Sequence, residues 1–169
     1  MPQLSLHTPV GAITVSVEDE AIVALDWGWG RDQEPTPLLL RARQWLQSYF
    51  DGVATPMDLP LQPFGTPYRQ RIWDQVRQIP PGSCWSYQQV AEAAGGSPRS
   101  VGTAMATNPI PLLIPCHRVL GSGAGGRFSI GGYSGGEGVE TKRFLLNLEA
   151  RMVGRDPTWP KQTPRSLRA

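Results

Sequence analysis

The sequence is poor in the residues that hold folds together covalently or through metals. Among 169 residues there are two cysteines, Cys84 and Cys116, and two histidines, His7 and His117. Two thiols cannot make a disulfide framework, and a structural zinc site needs four ligands. Using every Cys and His would reach that number, but they are scattered without paired ligand spacing, so no metal and no cofactor is expected. Long apolar runs are missing as well: nothing approaches the ~18 residues of a membrane span, and the start MPQLSLHTPV has neither a basic opening nor a leader-length apolar run. The chain reads as soluble and cytoplasmic, with no membrane partner. Lysine is scarce too, supplying two of the 16 basic residues. Arginine suits phosphate and base-edge contacts, although genome composition explains the same preference.

What is present is glycine and proline, 19 and 17 residues, a share above average usage but short of the ~25–30% that marks an aperiodic disordered chain. A chain of this length buries ~70% of its unfolded surface, so a loop-rich globular protein with a sizeable core is expected. Charge is unevenly placed. Residues 1–60 hold three arginines against eight carboxylates, whereas residues 61–169 hold thirteen basic groups against six acidic ones. The second part is therefore the one suited to a polyanion.

Residues 12–27 alternate, with Ile13, Val15 and Val17 and then Val23, Leu25 and Trp27 on one side, separated by Glu18-Asp19-Glu20. This is a β-hairpin pattern, with residues 4–6 as a candidate third strand. Leu38, Ala42, Trp45 and Tyr49 recur at helical spacing over residues 37–50, and Asp51-Gly52 closes that helix. Three prolines in residues 53–64 make an extended connection. The organisation read from this is an N-terminal α/β domain over residues 1–62, a mainly helical domain over residues 63–150, and a basic, proline-containing tail over residues 151–169.

In the second part Thr66-Pro67 opens a helix carrying Ile72, Val76 and Ile79. Ser86 caps a short helix with Gln89 reaching back, and Gly95-Gly96 turns into a further helix that starts at Ser97-Pro98 and ends before Asn108-Pro109. Two short helices around a glycine turn have the dimensions of a helix-turn-helix. On the second, Val101, Ala104 and Met105 form the apolar face, and Arg99, Gly102, Thr103 and Ala106 form an outer face of small residues. Such a face lets a helix backbone approach a DNA groove closely; an ordinary helical hairpin with a solvated face fits the spacing equally well.

Residues 108–119, NPIPLLIPCHRV, deliver a cysteine beside a histidine on what reads as an apolar, proline-stiffened strand. A cysteine is more often an inert buried residue than a nucleophile. A neighbouring histidine and arginine are the groups that favour its reactive thiolate.

The run Pro115-Cys116-His117-Arg118-Val119 resembles the active-site signature of the O6-alkylguanine-DNA alkyltransferases, also called methylated-DNA-protein-cysteine methyltransferases. The resemblance extends upstream to Asn108-Pro109 and Ser86-Tyr87-Gln88-Gln89, and downstream through Gly132-Tyr133-Ser134-Gly135-Gly136 to Leu145-Leu146-Asn147-Leu148-Glu149, covering residues 64–150. It implies an α/β fold class, with a small ribonuclease-H-like α/β domain followed by a winged helix-turn-helix domain. It implies in-line attack by the Cys116 thiolate on the alkyl carbon of O6-alkylguanine, leaving one thioether per chain and consuming the protein. His117 would deprotonate the thiol through a water, Glu149 would orient His117, and Asn108 would brace the turn. Tyr87 would help protonate the departing base, Tyr133 would pack against it and the Ser134 backbone would donate to O6. A role for Arg118 is left open. Arg99 would fill the stack vacated by the flipped nucleotide, while Gly102, Thr103 and Ala106 approach the minor groove. The implied partner is double-stranded DNA carrying alkylated guanine, with no obligatory protein partner and a monomeric state.

In a helix from Val139, Glu149 falls near the core-facing side, whereas Lys142 and Arg143 are expected to turn to solvent. The segment of residues 120–132 is longer than the family pattern, and Glu137-Gly138 stands as an extra pair; nine glycines fall within residues 121–138. Arg127 and Phe128 sit at the centre of this segment, and Arg127 is expected to reach the opposite DNA strand beside the lesion, a harmless surface insertion being the alternative. Two further readings stand beside alkyl transfer. One is a sensor that binds alkylated bases without transfer, against which the intact Cys116 argues. The other is a Cys-His hydrolase, which lacks an identifiable oxyanion arrangement.

Overall fold

Asp19 and Glu20 take left-handed backbone angles, φ 49° and 62°, which is what a two-residue hairpin turn needs if it is to match the twist of its flanking strands. They join β2 (Gly11–Glu18) to β3 (Ala21–Trp27), and β1 (Gln3–Thr8) pairs with the other edge of β2, giving an antiparallel sheet in the order β1-β2-β3. The inward row of Leu4, Leu6, Ile13, Val15, Val17, Ile22 and Leu25 is buried. It is covered by α1 (Pro37–Phe50), which Thr36 caps and whose Leu39, Ala42, Leu46 and Tyr49 face inward. The computed structural model describes residues 1–122 and 128–155; Arg127 and most of the basic tail lie outside the described residues.

The free edge of β3 takes up two distant segments. Ile22 exchanges hydrogen bonds with residues 60–62, and the Leu25 amide donates to the Pro109 carbonyl at 2.9 Å. The second contact brings the segment that precedes Cys116 against the first sheet. One hydrophobic cluster runs continuously from β1–β3 and α1 into the helices beyond residue 66.

Helix α2 (Pro67–Val76) carries Trp73, which is 1% exposed and donates from Nε1 to the Ala104 carbonyl at 3.0 Å. It thereby forms a post beneath α4. The helix ends at Val76, and Gln78 and Ile79 turn back on Gln75 and Val76 before the prolines, so Ile79 is buried outside the helix that its spacing suggested. After β4 (Trp85–Ser86), the Ser86 capping box starts α3 (Tyr87–Ala94), and Gly95, at φ 79°, supplies the left-handed C-cap that only glycine adopts readily. Then comes α4 (Pro98–Ala106), with Val101, Ala104 and Met105 buried and Arg99, Thr103 and Ala106 exposed. Strand β5 (Val119–Ser122) runs parallel to β4 and antiparallel to β6 (Phe128–Ser129), making a small sheet beside α3. The last helix, α5 (Val139–Met152), packs Leu145, Leu148 and Glu149 inward. Among the described residues no helix is long and apolar enough to cross a membrane.

Candidate active site

Residues 108–115 are not the strand that their apolar character suggested. Pro109, Pro111 and Pro115 lack the N–H groups that a ladder requires, and the segment winds into turns in which residues 111–120 are all buried. Asn108 closes the turns from both ends of its amide: Oδ1 accepts from the Ile110 N–H at 3.0 Å and Nδ2 donates to the Ile114 carbonyl at 2.9 Å. Leu112 is held at φ 71° within this loop, a conformation that costs a non-glycine residue energy and persists where surroundings dictate it. Cys116, His117 and Arg118 follow as a single 3-10 turn.

Cys116 is 6% exposed and lies in the wall of a cavity of about 250 Å3. Three elements supply the other walls. Tyr87 comes from the start of α3; Gly102, Met105 and Ala106 come from α4; Gly132, Tyr133 and Ser134 come from the segment leading to α5. A second opening of about 160 Å3 reaches Cys116 from the first sheet, past Asp26, Trp27 and Asn108. Trp27 meets Tyr133 edge-on with ring centroids 6.5 Å apart, and it lies so close to Gly135 that a Cβ there would fall 2.5 Å from Nε1. The N-terminal sheet thus shapes the cavity through the Tyr133 segment.

Behind the thiol lies a buried charge cluster. His117 and Glu149 are both 0% exposed, and His117 Nε2 lies 2.5 Å from Glu149 Oε2. Arg118 donates to the same carboxylate from Nε to Oε1 at 2.7 Å and from Nη2 to Oε2 at 3.0 Å, and from Nη1 to the Ile79 carbonyl at 2.5 Å. The Tyr49 hydroxyl donates to Oε2 at 2.5 Å. Burial alone would raise the Glu149 pKa, but the hydrogen bond from His117 and the charge and hydrogen bonds of Arg118 hold it well below the usual carboxylate range. The carboxylate is ionised, and the Arg118 guanidinium already balances its charge.

Burial lowers the His117 pKa despite the pull of Glu149, so the resting imidazole is neutral and donates from Nε2. Its Nδ1 has no hydrogen-bond partner among the described residues and is the nitrogen able to take up a proton. Burial raises the Cys116 pKa, while Asn108 and Lys142 pull it down. At rest the thiol is therefore protonated and needs a base at the moment of reaction.

Lys142 departs from expectation. It is 0% exposed rather than turned to solvent, because Nζ finds the carbonyls of Val119 at 2.8 Å and Gly132 at 3.0 Å and stands 5.9 Å from the Tyr87 ring centroid. Burial lowers its pKa to about 8. Arg143, by contrast, is exposed.

The structure thus brings Cys116, Tyr87, Tyr133, Ser134, Gly102 and Ala106 to one cavity, places His117 and Glu149 behind it, and makes Asn108 the clip of the turn. Arg99 and Thr103 sit on the exposed side of α4 and do not line the cavity; the expectation for Arg127 falls outside the described residues. Sequence reasoning missed Tyr49, Trp27 and the pairing of Arg118 with Glu149. The single available signal was the inward position of Tyr49 on its helix. Among the described residues no three His, Cys, Asp or Glu side chains gather as a metal-ligand set.

The sequence matches two family models, the ribonuclease-like domain of 6-O-methylguanine DNA methyltransferase over residues 4–63 and the DNA binding domain of the same proteins over residues 67–151. The constitutive methylated-DNA–protein-cysteine methyltransferase of Bacillus subtilis is 38% identical over 157 residues, covering 85% of this chain and 92% of that protein. The methylated-DNA–protein-cysteine methyltransferase of Metallosphaera sedula is 39% identical over 149 residues, covering 86% and 91%. Among solved structures, the Mycobacterium tuberculosis OGT protein in complex with DNA superposes with a TM-score of 0.77 at 33% identity, over 90% of this chain and 94% of that one. A cysteine at the wall of a cavity, backed by a buried His-Glu pair and matched along both parts of the chain, places this protein in the 6-O-methylguanine DNA methyltransferase family.

Proposed function

We propose that this protein repairs O6-alkylguanine in DNA by direct reversal, moving the alkyl group irreversibly onto Cys116. The observation that carries this reading is the buried His117, whose Nε2 lies 2.5 Å from Glu149 Oε2, next in the chain to the Cys116 thiol at the cavity wall. His117 takes the thiol proton at Nδ1, through a water, and the thiolate attacks the alkyl carbon. The C–S bond forms as the C–O bond to guanine breaks. Tyr87, at the cavity wall, supplies a proton to the leaving base, and the proton held by His117 restores the tyrosine through solvent. The net change moves one alkyl group to sulfur and one hydrogen to guanine. A thioether has no leaving group to match, so each chain acts once.

The guanine must leave the duplex to reach Cys116, at a cost of a few kcal/mol. We assign α4 as the element that enters the minor groove, with Arg99 filling the vacated place in the stack. Gly102 supports this: a Cβ there would meet nothing within 4 Å in the free protein, so its small size serves an approach from outside. Tyr133 packs against the base and the Ser134 backbone donates to O6. In this division of labour residues 1–62 form the scaffold that presses Trp27 on the Tyr133 segment, residues 63–150 hold the DNA-binding face and the reacting groups, and residues 151–169 add positive charge. The partner is double-stranded DNA, engaged by a monomer without an obligatory protein partner, a cofactor or a metal, in the cytoplasm.

Intact and peptide mass spectrometry after incubation with a duplex holding one O6-methylguanine tests the reading, with Cys116→Ser as control. One methyl on Cys116, guanine restored and no second turnover are expected. Lesion binding without a mass gain would make the protein a sensor, and regenerated thiol with repeated turnover a hydrolase.

A further inference from the structure

The established elements of this site are a thiol, an imidazole and a carboxylate, but Glu149 Oε2 also holds a group from the other part of the molecule. We infer that Tyr49 of α1 is a positioning residue for the alkyl transfer, its hydroxyl fixing the carboxylate oxygen that orients His117. Tyr49 is 2% exposed, its ring stacks on Trp45 with centroids 5.5 Å apart, and Phe50 meets it edge-on at 5.1 Å. The ring therefore has one position, and the O–H reaches Oε2 at 2.5 Å from a residue 100 positions away in the chain.

That oxygen is the one His117 Nε2 touches, so the phenol and the imidazole meet on the same atom. A phenol that donates to a carboxylate draws charge from it. Less charge on Oε2 stabilises an imidazolium less, so the phenol holds the His117 pKa down, while its hydrogen bond fixes the atom that orients the imidazole. Arg118 balances the whole carboxylate from both oxygens and cannot select between orientations of the imidazole; Tyr49, on Oε2 alone, can. Burial, reinforced by Glu149, keeps the phenol protonated and able only to donate. The other groups facing this cluster are Lys142 of α5, Arg118 beside His117, Tyr133 from the segment before α5 and Cys84 before β4. None of these donates a hydrogen to Oε2 except Arg118.

The inference rests on the proposed alkyl transfer, so its test has an arm independent of DNA. With two histidines in the chain, ring labelling lets the His117 imidazole be followed by NMR as the pH is varied. Tyr49→Phe, which keeps the ring and removes the hydroxyl, is expected to move the His117 midpoint to higher pH and to slow single-turnover methyl transfer about tenfold, the loss expected for one hydrogen bond to a charged group. Site-specific 3-fluorotyrosine at position 49, a stronger donor of nearly the same size, is expected to move the midpoint the opposite way. It decides the matter should the phenylalanine variant fail to fold. Leu39→Val, which loosens α1 in the core away from Glu149, should lower the melting temperature and leave the His117 titration in place. Coincident His117 titrations and equal transfer rates for wild type and Tyr49→Phe would overturn the inference. Absence of transfer in the wild type would sink the proposed function instead, while the titrations would still decide the place of Tyr49.

Discussion

The outer face of α4 and the cluster around Glu149 solve opposite problems. On α4, Arg99, Thr103 and Ala106 are exposed and Gly102 has open space above it, and the Thr103 hydroxyl bonds only within its own helix, to the Arg99 carbonyl. Around Glu149, Tyr49, His117 and Arg118 converge on two oxygens with no solvent to replace any of them. On the proposed function, docking falls to residues exposed on α4 and chemistry to residues buried around Glu149. The contrast follows from dielectric: a charge at the surface is screened, whereas a charge in the core must be matched atom by atom.

The largest effect should come from removing the centre of the cluster. Glu149→Ala leaves Arg118 and His117 buried without their acceptor, so a loss of about 3–5 kcal/mol in urea unfolding is expected, with methyl transfer slowed about a hundredfold or more. A variant that lost activity but kept its stability would collapse the contrast. Lys142 sharpens it next. Its lowered pKa means that the unfolded chain binds more protons than the folded one between about 8 and 10.5, so its contribution to stability rises with pH across that window. Measured against Lys142→Met, which cancels the other titrating groups, the wild type should gain as much as about 3 kcal/mol from pH 8 to 10.5. A flat difference would mean that the ammonium bears no burial penalty.

The smallest stability changes should fall on α4. Arg99→Ala is expected to leave unfolding within about 0.5 kcal/mol while slowing transfer from duplex DNA. Gly102→Ala should stabilise the free protein by about 0.8 kcal/mol through helix propensity and, like Arg99→Ala, weaken duplex binding in a fluorescence titration. Unchanged binding by both variants would remove α4 as the docking face.

The difference between the two regions also governs how far each could be read from sequence. The elements of α4 are local: Ser97 caps, Pro98 starts, and the apolar spacing of Val101, Ala104 and Met105 fixes which side is buried, so its face was legible. The hairpin, α1 and the Ser86 capping box were legible for the same reason. The cluster is not local. Tyr49 and Glu149 meet across 100 residues, and no period in either helix announces a partner that far away. Lys142 was misread because charge argues for solvent; its burial depends on carbonyls of Val119 and Gly132 that only the fold assembles. Residues 108–115 were misread as a strand because apolar composition says only that a segment is buried, and the prolines and the Asn108 clip decide its path.

That clip bears on the shelf life of the protein. An asparagine ages when the next residue's backbone nitrogen attacks its side-chain amide and ammonia is lost. The carboxylate formed would face the Ile114 carbonyl, which now receives the Nδ2 hydrogen. The nitrogen after Asn108 belongs to Pro109 and has no hydrogen to lose, so this route to deamidation is closed where it would undo the turn that carries Cys116. A molecule that waits for a single use thus has the brace of its reactive turn built from a dipeptide closed to that reaction.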